Sequence, residues 1–296
     1  MASRKRGNFK LLGAYSHYVP GWADLCVLVL FFLIGVVLGN VVSSVFVIAG
    51  GEGCVEYATV VAYVLMFIPA MMYASSKSSR RSVNTPGVKM DSSHFGKPGG
   101  VLCALMAVVG VLAVGYCVDA VTAVMPPMPE WLETALNSMT EGNMLLNIFC
   151  VGICAAFFEE WLCRGMVLRG LLGTGVKPAV AIPVSALFFA IIHLNPWQAI
   201  PAFILGCFFG FVYYKTGSLK LTMLMHFTNN TFAVLLSHVE SFKDMETWMD
   251  VLPTYLYWII WAACLLLTVL IVRKYSSIPL EQERGNLDGV KSLFEE

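Results

Sequence analysis

The chain has 296 residues, of which 58% are hydrophobic and 13% are charged, and its formal net charge is zero. Soluble domains rarely exceed about 50% apolar residues, so this composition excludes an ordinary soluble protein. The balanced charge identifies no partner, and no nucleic-acid partner is predicted. Several apolar runs exceed the roughly 20 residues that cross a bilayer, and they are too long and continuous for barrel strands. The sequence therefore predicts an all-α, polytopic membrane protein.

The apolar runs predict about eight transmembrane helices in a single integral membrane domain, residues 1–296. The first run starts late and is long, which is typical of a signal-anchor helix rather than a cleaved signal peptide. The stretch 75–100 is rich in serine and basic residues and is predicted to be a loop, and 275–296 is predicted to be a cytoplasmic tail. The spans are predicted, in chain order, at 24–49, 57–74, 100–124, 144–172, 178–195, 198–214, 219–239 and 254–274.

The loop charges predict the orientation of these spans. If the amino terminus faces the cytoplasm, every lysine and arginine except Lys243 falls on the inner side, with Arg164 and Arg169 assigned there by depth. Acidic residues dominate the outer loops. Basic residues concentrate in cytoplasmic loops of membrane proteins, so we expect both termini in the cytoplasm.

Ionisable side chains lie inside the fourth predicted span. This span begins the segment 144–239, which carries the sequence motifs described below. Such groups are costly at membrane depth and are usually functional. Glu160 and Arg164 are four residues apart, which puts them on one helical face where they can pair. Glu159 lies about 100° around the helix and has no such partner. One paired and one free carboxylate is what a site with a carboxylate base would need.

Three further polar side chains lie at depth, namely His193 near the end of span five, and His226 and Asn230 on one face of span seven. At 1.5 Å per residue from the inner ends of their helices, Glu159 and His193 lie about 20 and 22 Å deep. His226 and Asn230 lie about 10 and 16 Å deep by the same rise. The four groups are therefore predicted to line one cavity that opens toward the inner face.

Each group also has a structural interpretation. A lone intramembrane histidine is often a hydrogen-bonding group, and Asn230 alone would more often join two helices. Glu160 with Arg164 could be a structural ion pair. The cluster is more informative than its members, because independent structural roles would have to coincide on three helices.

The residues Glu159-Glu160-x-x-x-Arg164, Phe189-x-x-x-His193 and His226-x-x-x-Asn230 resemble the three motifs of the CPBP family. This family contains the CAAX-type prenyl proteases and the bacteriocin-processing proteins, and is also called the abortive-infection family. All three motifs occur in family order, without departures at their defining positions. The resemblance covers about Phe157 to Asn230.

The resemblance implies an eight-helix intramembrane endopeptidase. By position, it implies that Glu159 is the general base and that His193 shares the nucleophilic water. It further implies that His226 and Asn230 stabilise the oxyanion and that Glu160 and Arg164 support the site.

The resemblance leaves the metal requirement open. The family was named as metalloproteases, although a mechanism with glutamate and histidine and no essential metal is also argued for it. Glu159, His193 and His226 could supply a three-ligand zinc site with an open position. The sequence has no His-Glu-x-x-His helix, the usual zinc-protease spacing. We therefore predict no required cofactor, with one divalent zinc ion as the alternative.

The predicted function is hydrolysis of a peptide bond in a membrane-anchored or leader-bearing protein, with the lipid bilayer as surroundings, in the plasma membrane of a bacterium. A leader peptide, a bacteriocin precursor and a membrane-anchored protein all remain open as substrates. The alternative is a non-catalytic membrane protein, such as a scaffold, an immunity factor or a small transporter. Matching halves with broken helices would favour a transporter, and the sequence has none.

Overall fold

A computed structural model describes residues 11–82, 87–92, 94–140, 142–242 and 245–280. Several sequence predictions fall outside these ranges, namely the basic residues of segment 1–10, Lys243, and the tail from 281 to 296. The described residues form helices and contain no β-strand.

The observed helices follow the predicted spans closely. Six of them are long and apolar enough to cross a membrane, and a seventh, α6, is apolar but has only 14 residues. Together they confirm the all-α, polytopic membrane fold. In chain order the helices are α1 (Trp22–Gly50), α2 (Val55–Arg81), α3 (Gly99–Thr122), α4 (Glu130–Thr140), α5 (Met144–Gly173), α6 (Pro178–Ile191), α7 (Pro196–Thr216), α8 (Leu219–Ser237) and α9 (Thr254–Ser276).

Three boundaries differ from the prediction. Helix α2 continues to Arg81, so residues 75–81 are helical and do not belong to the predicted loop; Arg80 and Arg81 suit the negative end of the helix dipole. Helix α4 occupies part of the connection between the third and fourth predicted spans. Helix α6 ends at Ile191, so the predicted span 178–195 is too long, because Pro196 disfavours a helical conformation for the residue before it.

Helix α5 lies at the centre of the molecule. It packs against α2, α6 and α8, and every residue from Glu160 to Leu171 is buried. One hydrophobic core joins its carboxyl-terminal half to α1 and α2, and a second core joins α3, α7, α8 and α9. Polar groups in the stretch 160–171 of α5 are therefore enclosed by protein.

Helices α1 and α2 form a tightly packed pair. A Cβ atom on Gly35 would lie 2.0 Å from the carbonyl oxygen of Met66, and one on Gly39 would lie 2.6 Å from that of Ala62. Real Cβ atoms do not approach so closely, so the two glycines allow the backbones to touch. This small-x-x-x-small packing is common between membrane helices.

The buried cation Arg169 joins α5 to the start of the chain. Its guanidinium is fully buried and donates to three backbone carbonyls: Val88 at 2.9 Å, Tyr15 at 3.2 Å and Tyr18 at 2.5 Å. The ring of Tyr15 also packs edge-on against Trp161 at 5.2 Å. The segment before α1 is thus part of the core.

Candidate active site

The two acidic residues of α5 lie between two π-helical segments. The segments span Ile148–Cys154 and Trp161–Leu168, and the α-helical turn between them is Ala155–Glu160. A π-helical turn takes up an extra residue and changes which side chains share a face, and such turns are frequent at functional sites. Glu159 and Glu160 are therefore presented by a locally rewound part of a long helix.

Glu160 and Arg164 form the ion pair that their spacing predicts. Arg164 Nη1 donates to Glu160 Oε1 at 2.7 Å, and both side chains are 0% exposed. Arg164 Nη2 donates to the Gly206 carbonyl on α7 at 2.9 Å. The guanidinium also lies over the Phe189 and Phe209 rings, 4.7 and 5.2 Å from their centroids, where cation–π attraction adds to the pairing. The pair fastens α5 to α6 and α7.

His226 on α8 faces both carboxylates. Its Nδ1 lies 3.1 Å from Glu160 Oε1, and its Nε2 lies 4.0 Å from Glu159 Oε2. An ionised carboxylate only accepts hydrogen bonds, so Nδ1 is the donor to Glu160. The Phe189 and Phe209 rings flank the imidazole at 5.5 and 5.9 Å. His226 is thereby oriented with Nε2 toward Glu159.

Glu159 has a partner that the sequence analysis missed. The hydroxyl of Tyr63, on α2, donates to Glu159 Oε1. The Glu159 side chain is 13% exposed, and its Oε2 atom is buried without a hydrogen-bond partner among the described residues. One carboxylate oxygen is thus held and the other faces His226. The sequence does show that Tyr63 places a polar hydroxyl inside the predicted span 57–74. However, no residue spacing relates α2 to α5, so the sequence does not indicate that this hydroxyl reaches Glu159.

His193 lies in the turn after α6, beyond the helix in which it was predicted. Its Nδ1 donates to the Phe189 carbonyl at 2.8 Å, and its ring packs edge-on against Phe189 at 5.1 Å. The next residue, Leu194, has φ of 58°, a left-handed conformation that a non-glycine residue adopts at a cost. Asn195 donates to the His193 carbonyl at 2.9 Å and caps α7. The Phe189 carbonyl and ring thus hold the His193 side chain against the end of α6.

Asn230 lies one helical turn from His226, as its spacing predicts. Its Nδ2 donates to the Val151 carbonyl in the first π-helical segment at 2.9 Å, and its Oδ1 accepts from Asn229 at 3.2 Å. At least one N–H of Asn230 therefore joins α8 to α5. This contact fits the structural interpretation of Asn230 as well as a role in the site.

The structure brings some of the predicted residues into direct contact and leaves others apart. Glu159, Glu160, Arg164 and His226 form one cluster, and His193 adjoins it through the Phe189 ring that both histidines contact. No three His, Cys, Asp or Glu side chains in the described ranges are grouped so that they could hold a metal ion, and these ranges include Glu159, His193 and His226. The candidate zinc ligands Glu159, His193 and His226 do not fit a three-ligand site in this arrangement.

The arrangement provides groups that hydrolysis requires. Glu159 is a largely buried carboxylate with one oxygen bound to Tyr63 and the other without a hydrogen-bond partner among the described residues, and the His226 imidazole faces that second oxygen.

The chain resembles a known protein family in the segment that carries Glu159 and His226. A family model described as type II CAAX prenyl endopeptidase Rce1-like matches residues 141–232. No curated protein and no solved structure matches the chain significantly. The matched segment contains Glu159, His193, His226 and Asn230, but not Tyr63. The match confirms the resemblance of this integral membrane protein to the CPBP family and supports, in general terms, a CAAX-type intramembrane endopeptidase.

Proposed function

We propose that the protein is an intramembrane endopeptidase in which Glu159 activates a water molecule for attack on a peptide bond. The observation that carries this proposal is the asymmetry of the Glu159 carboxylate. Tyr63 holds Oε1, whereas Oε2 is buried, unpartnered among the described residues and 4.0 Å from His226 Nε2. A carboxylate held in this way suits a general base.

In the proposed reaction, Glu159 Oε2 accepts a proton from water while the water oxygen bonds to the substrate carbonyl carbon. The carbonyl oxygen then carries negative charge in a tetrahedral intermediate. When the intermediate collapses, the C–N bond breaks, and Glu159 returns the proton to the leaving amine. By family resemblance, His193 helps to hold the water, and His226 and Asn230 stabilise the oxyanion.

The contacts of His226 refine its proposed role. Because Nδ1–H is donated to Glu160, Nε2 can donate to an oxyanion only when the imidazole is protonated. Glu160 is thus proposed to hold Arg164 and to prepare His226 as a donor. Removing one such donor costs roughly 100- to 1,000-fold in kcat in a known protease.

The proposed substrate is a membrane-anchored or leader-bearing protein, cleaved by an enzyme with both termini in the cytoplasm of a bacterium. A membrane-anchored substrate accords with the family description and with a site enclosed by apolar helices. Glu159 lies near the middle of the 30-residue helix α5, so the scissile bond has to enter the molecule among its helices.

Terminal proteomics would test the proposal. Cells expressing the wild type, Glu159→Gln or the control Glu130→Gln, a carboxylate exposed on α4, are compared by mass spectrometry of protein termini. We expect a new terminus of at least one membrane-associated protein with the wild type and the control, and none with Glu159→Gln. Identical termini in all three strains would refute the proposal and favour a non-catalytic protein.

A further inference from the structure

The α1–α2 pair lies outside the segment that matches the family model, yet it reaches the candidate active site. The matched segment is 141–232, whereas Tyr63 belongs to α2, and its hydroxyl donates to Glu159 Oε1. Of the contacts described above, this is the one that links the first two helices to the acidic pair. The question is whether Tyr63 only packs there or also acts on Glu159.

An aromatic stack fixes Tyr63 relative to Glu159. The Tyr63 ring packs against Phe67 at 5.6 Å. Phe67 in turn stacks on Phe158 with ring centroids 5.2 Å apart and an interplanar angle of 15°. Phe158 directly precedes Glu159, and Phe67 is one helical turn from Tyr63. The stack therefore fixes the position of α2 along α5 close to the hydrogen bond between Tyr63 and Glu159.

The glycines of α1 fix α2 on an adjacent face, because neighbouring helix positions lie about 100° apart. Gly35 and Gly39 lie against the backbone carbonyls of Met66 and Ala62. These two residues flank Tyr63 in the sequence. Backbone contact between two helices leaves little freedom for rotation or sliding, because any shift produces a collision. The backbone contact with α1 thus restrains α2 while the aromatic stack restrains the Tyr63 ring, and a residue that positions a reacting group needs such support.

We infer that Tyr63 is a positioning residue for the general base: its hydroxyl holds Glu159 Oε1 and so directs Oε2 toward the water and the substrate carbonyl. This inference rests on the proposed function. It adds to the family motifs a residue that they do not contain, and it gives the α1–α2 pair a part in the reaction. A merely structural Tyr63 would affect stability and leave turnover per folded molecule unchanged.

The first test separates turnover from binding. Wild type, Tyr63→Phe and Tyr275→Phe are purified, and cleavage of a farnesylated CAAX peptide with a fluorophore and a quencher is measured. Tyr275 is the matched control, since its buried hydroxyl donates to the Cys103 carbonyl at 2.7 Å, between α9 and α3. For Tyr63→Phe we expect kcat to fall roughly 10- to 100-fold, the value of one hydrogen bond to a charged group, with KM unchanged. Tyr275→Phe should retain the wild-type kcat per folded molecule.

The second test detects the hydrogen bond without any cleavage. Thermal unfolding is measured for Tyr63→Phe in the wild-type background and in the Glu159→Ala background. We expect Tyr63→Phe to lower Tm in the wild type, and to lower it less or raise it when the acceptor is gone. An equal Tm loss in both backgrounds, or a wild-type kcat in Tyr63→Phe, overturns the inference. A wild-type enzyme that does not cleave the peptide counts against the proposed function with this substrate, and the unfolding comparison then decides the Tyr63 contact.

Discussion

At the scale of single residues, two neighbouring carboxylates have unlike surroundings. Glu160 Oε1 is shared by Arg164 at 2.7 Å and His226 at 3.1 Å, and the side chain is fully buried. Glu159 is slightly exposed and accepts a hydrogen bond from Tyr63 through one oxygen. The oxygen atoms of a carboxylate that is paired with a cation are already engaged. Such a carboxylate is therefore better suited to holding neighbouring side chains in place than to accepting a proton from water. These surroundings favour different roles for the two acids.

We predict that Glu159→Gln abolishes cleavage while the protein stays folded in the membrane. Glu160→Gln should instead destabilise the protein by about 3–5 kcal/mol, because it leaves Arg164 buried without its partner charge. Thermal unfolding and peptide cleavage of both purified variants measure this difference. A stable but wholly inactive Glu160→Gln, together with an active Glu159→Gln, would mean that the two roles are reversed.

Arg164→Lys should also be destabilising, although it keeps the charge. A lysine ammonium cannot reproduce the planar fork that reaches both Glu160 and the Gly206 carbonyl. We expect a loss of about 1–3 kcal/mol, since a buried acceptor loses its donor. The control is Arg81→Lys, whose pair with Asp24 at 3.4 Å is partly exposed and should change stability by less than about 1 kcal/mol. Equal losses in chemical denaturation would contradict the prediction.

The sequence predicts some of these contacts and not others, for a physical reason. Glu160 and Arg164 share a helix, so a four-residue spacing brings them together. The approach of Tyr63 to Glu159, and of His226 to Glu160, depends on how α2, α5 and α8 pack. Motif resemblance placed His226 in the site, but no pattern relates residue 63 to residue 159.

At the scale of helices, the long apolar runs predict where the helices lie, because a lipid-facing helix must be apolar over its whole length. The turns within them are less predictable. The two π-helical segments of α5 contact α6 and α8, and nothing in the sequence Trp161–Leu168 distinguishes it from an α-helix. Likewise α6 ends at Ile191, before the left-handed Leu194 and the Asn195 that caps α7.

The contact between α1 and α2 provides a test at this scale. Gly→Ala within a helix normally stabilises by about 1 kcal/mol. At Gly35 the new Cβ would lie 2.0 Å from the Met66 carbonyl oxygen, so we expect Gly35→Ala to destabilise by about 1–3 kcal/mol. Cleavage should fall too, because α2 carries Tyr63. The measurements are thermal unfolding and peptide cleavage.

The matched control for that substitution is Gly115→Ala, in the interior of α3. The new Cβ would lie 3.7 Å from Asn229 Oδ1, which is ordinary van der Waals contact. We expect unchanged or raised stability for this variant. A Tm for Gly35→Ala at or above that of Gly115→Ala would show that α1 and α2 are not in backbone contact.

At the scale of the whole molecule, the distribution of charge predicts the orientation in the membrane. Basic residues sort to one side of the predicted spans with Lys243 as the exception, and both chain ends lie outside the described residues. We expect reporter fusions after Lys10 and at Glu296 to report the cytoplasm, and a fusion at Glu130 to report the outer side. An outer-side signal from either terminal fusion would contradict this topology.

The buried Arg169 has a consequence for the order in which the protein assembles. Its three carbonyl acceptors belong to Tyr15, Tyr18 and Val88, all made by the ribosome before Arg169 itself. When the fourth long apolar helix enters the bilayer, this cation can therefore meet ready-made partners. Arg164 enters with Glu160 beside it, but its contact to Gly206 waits for α7, and the contact of Glu160 to His226 waits for α8. The contacts of Arg169 can thus form early in synthesis, whereas the cluster of Glu159, Glu160, Arg164 and His226 is complete only after α8 has been made.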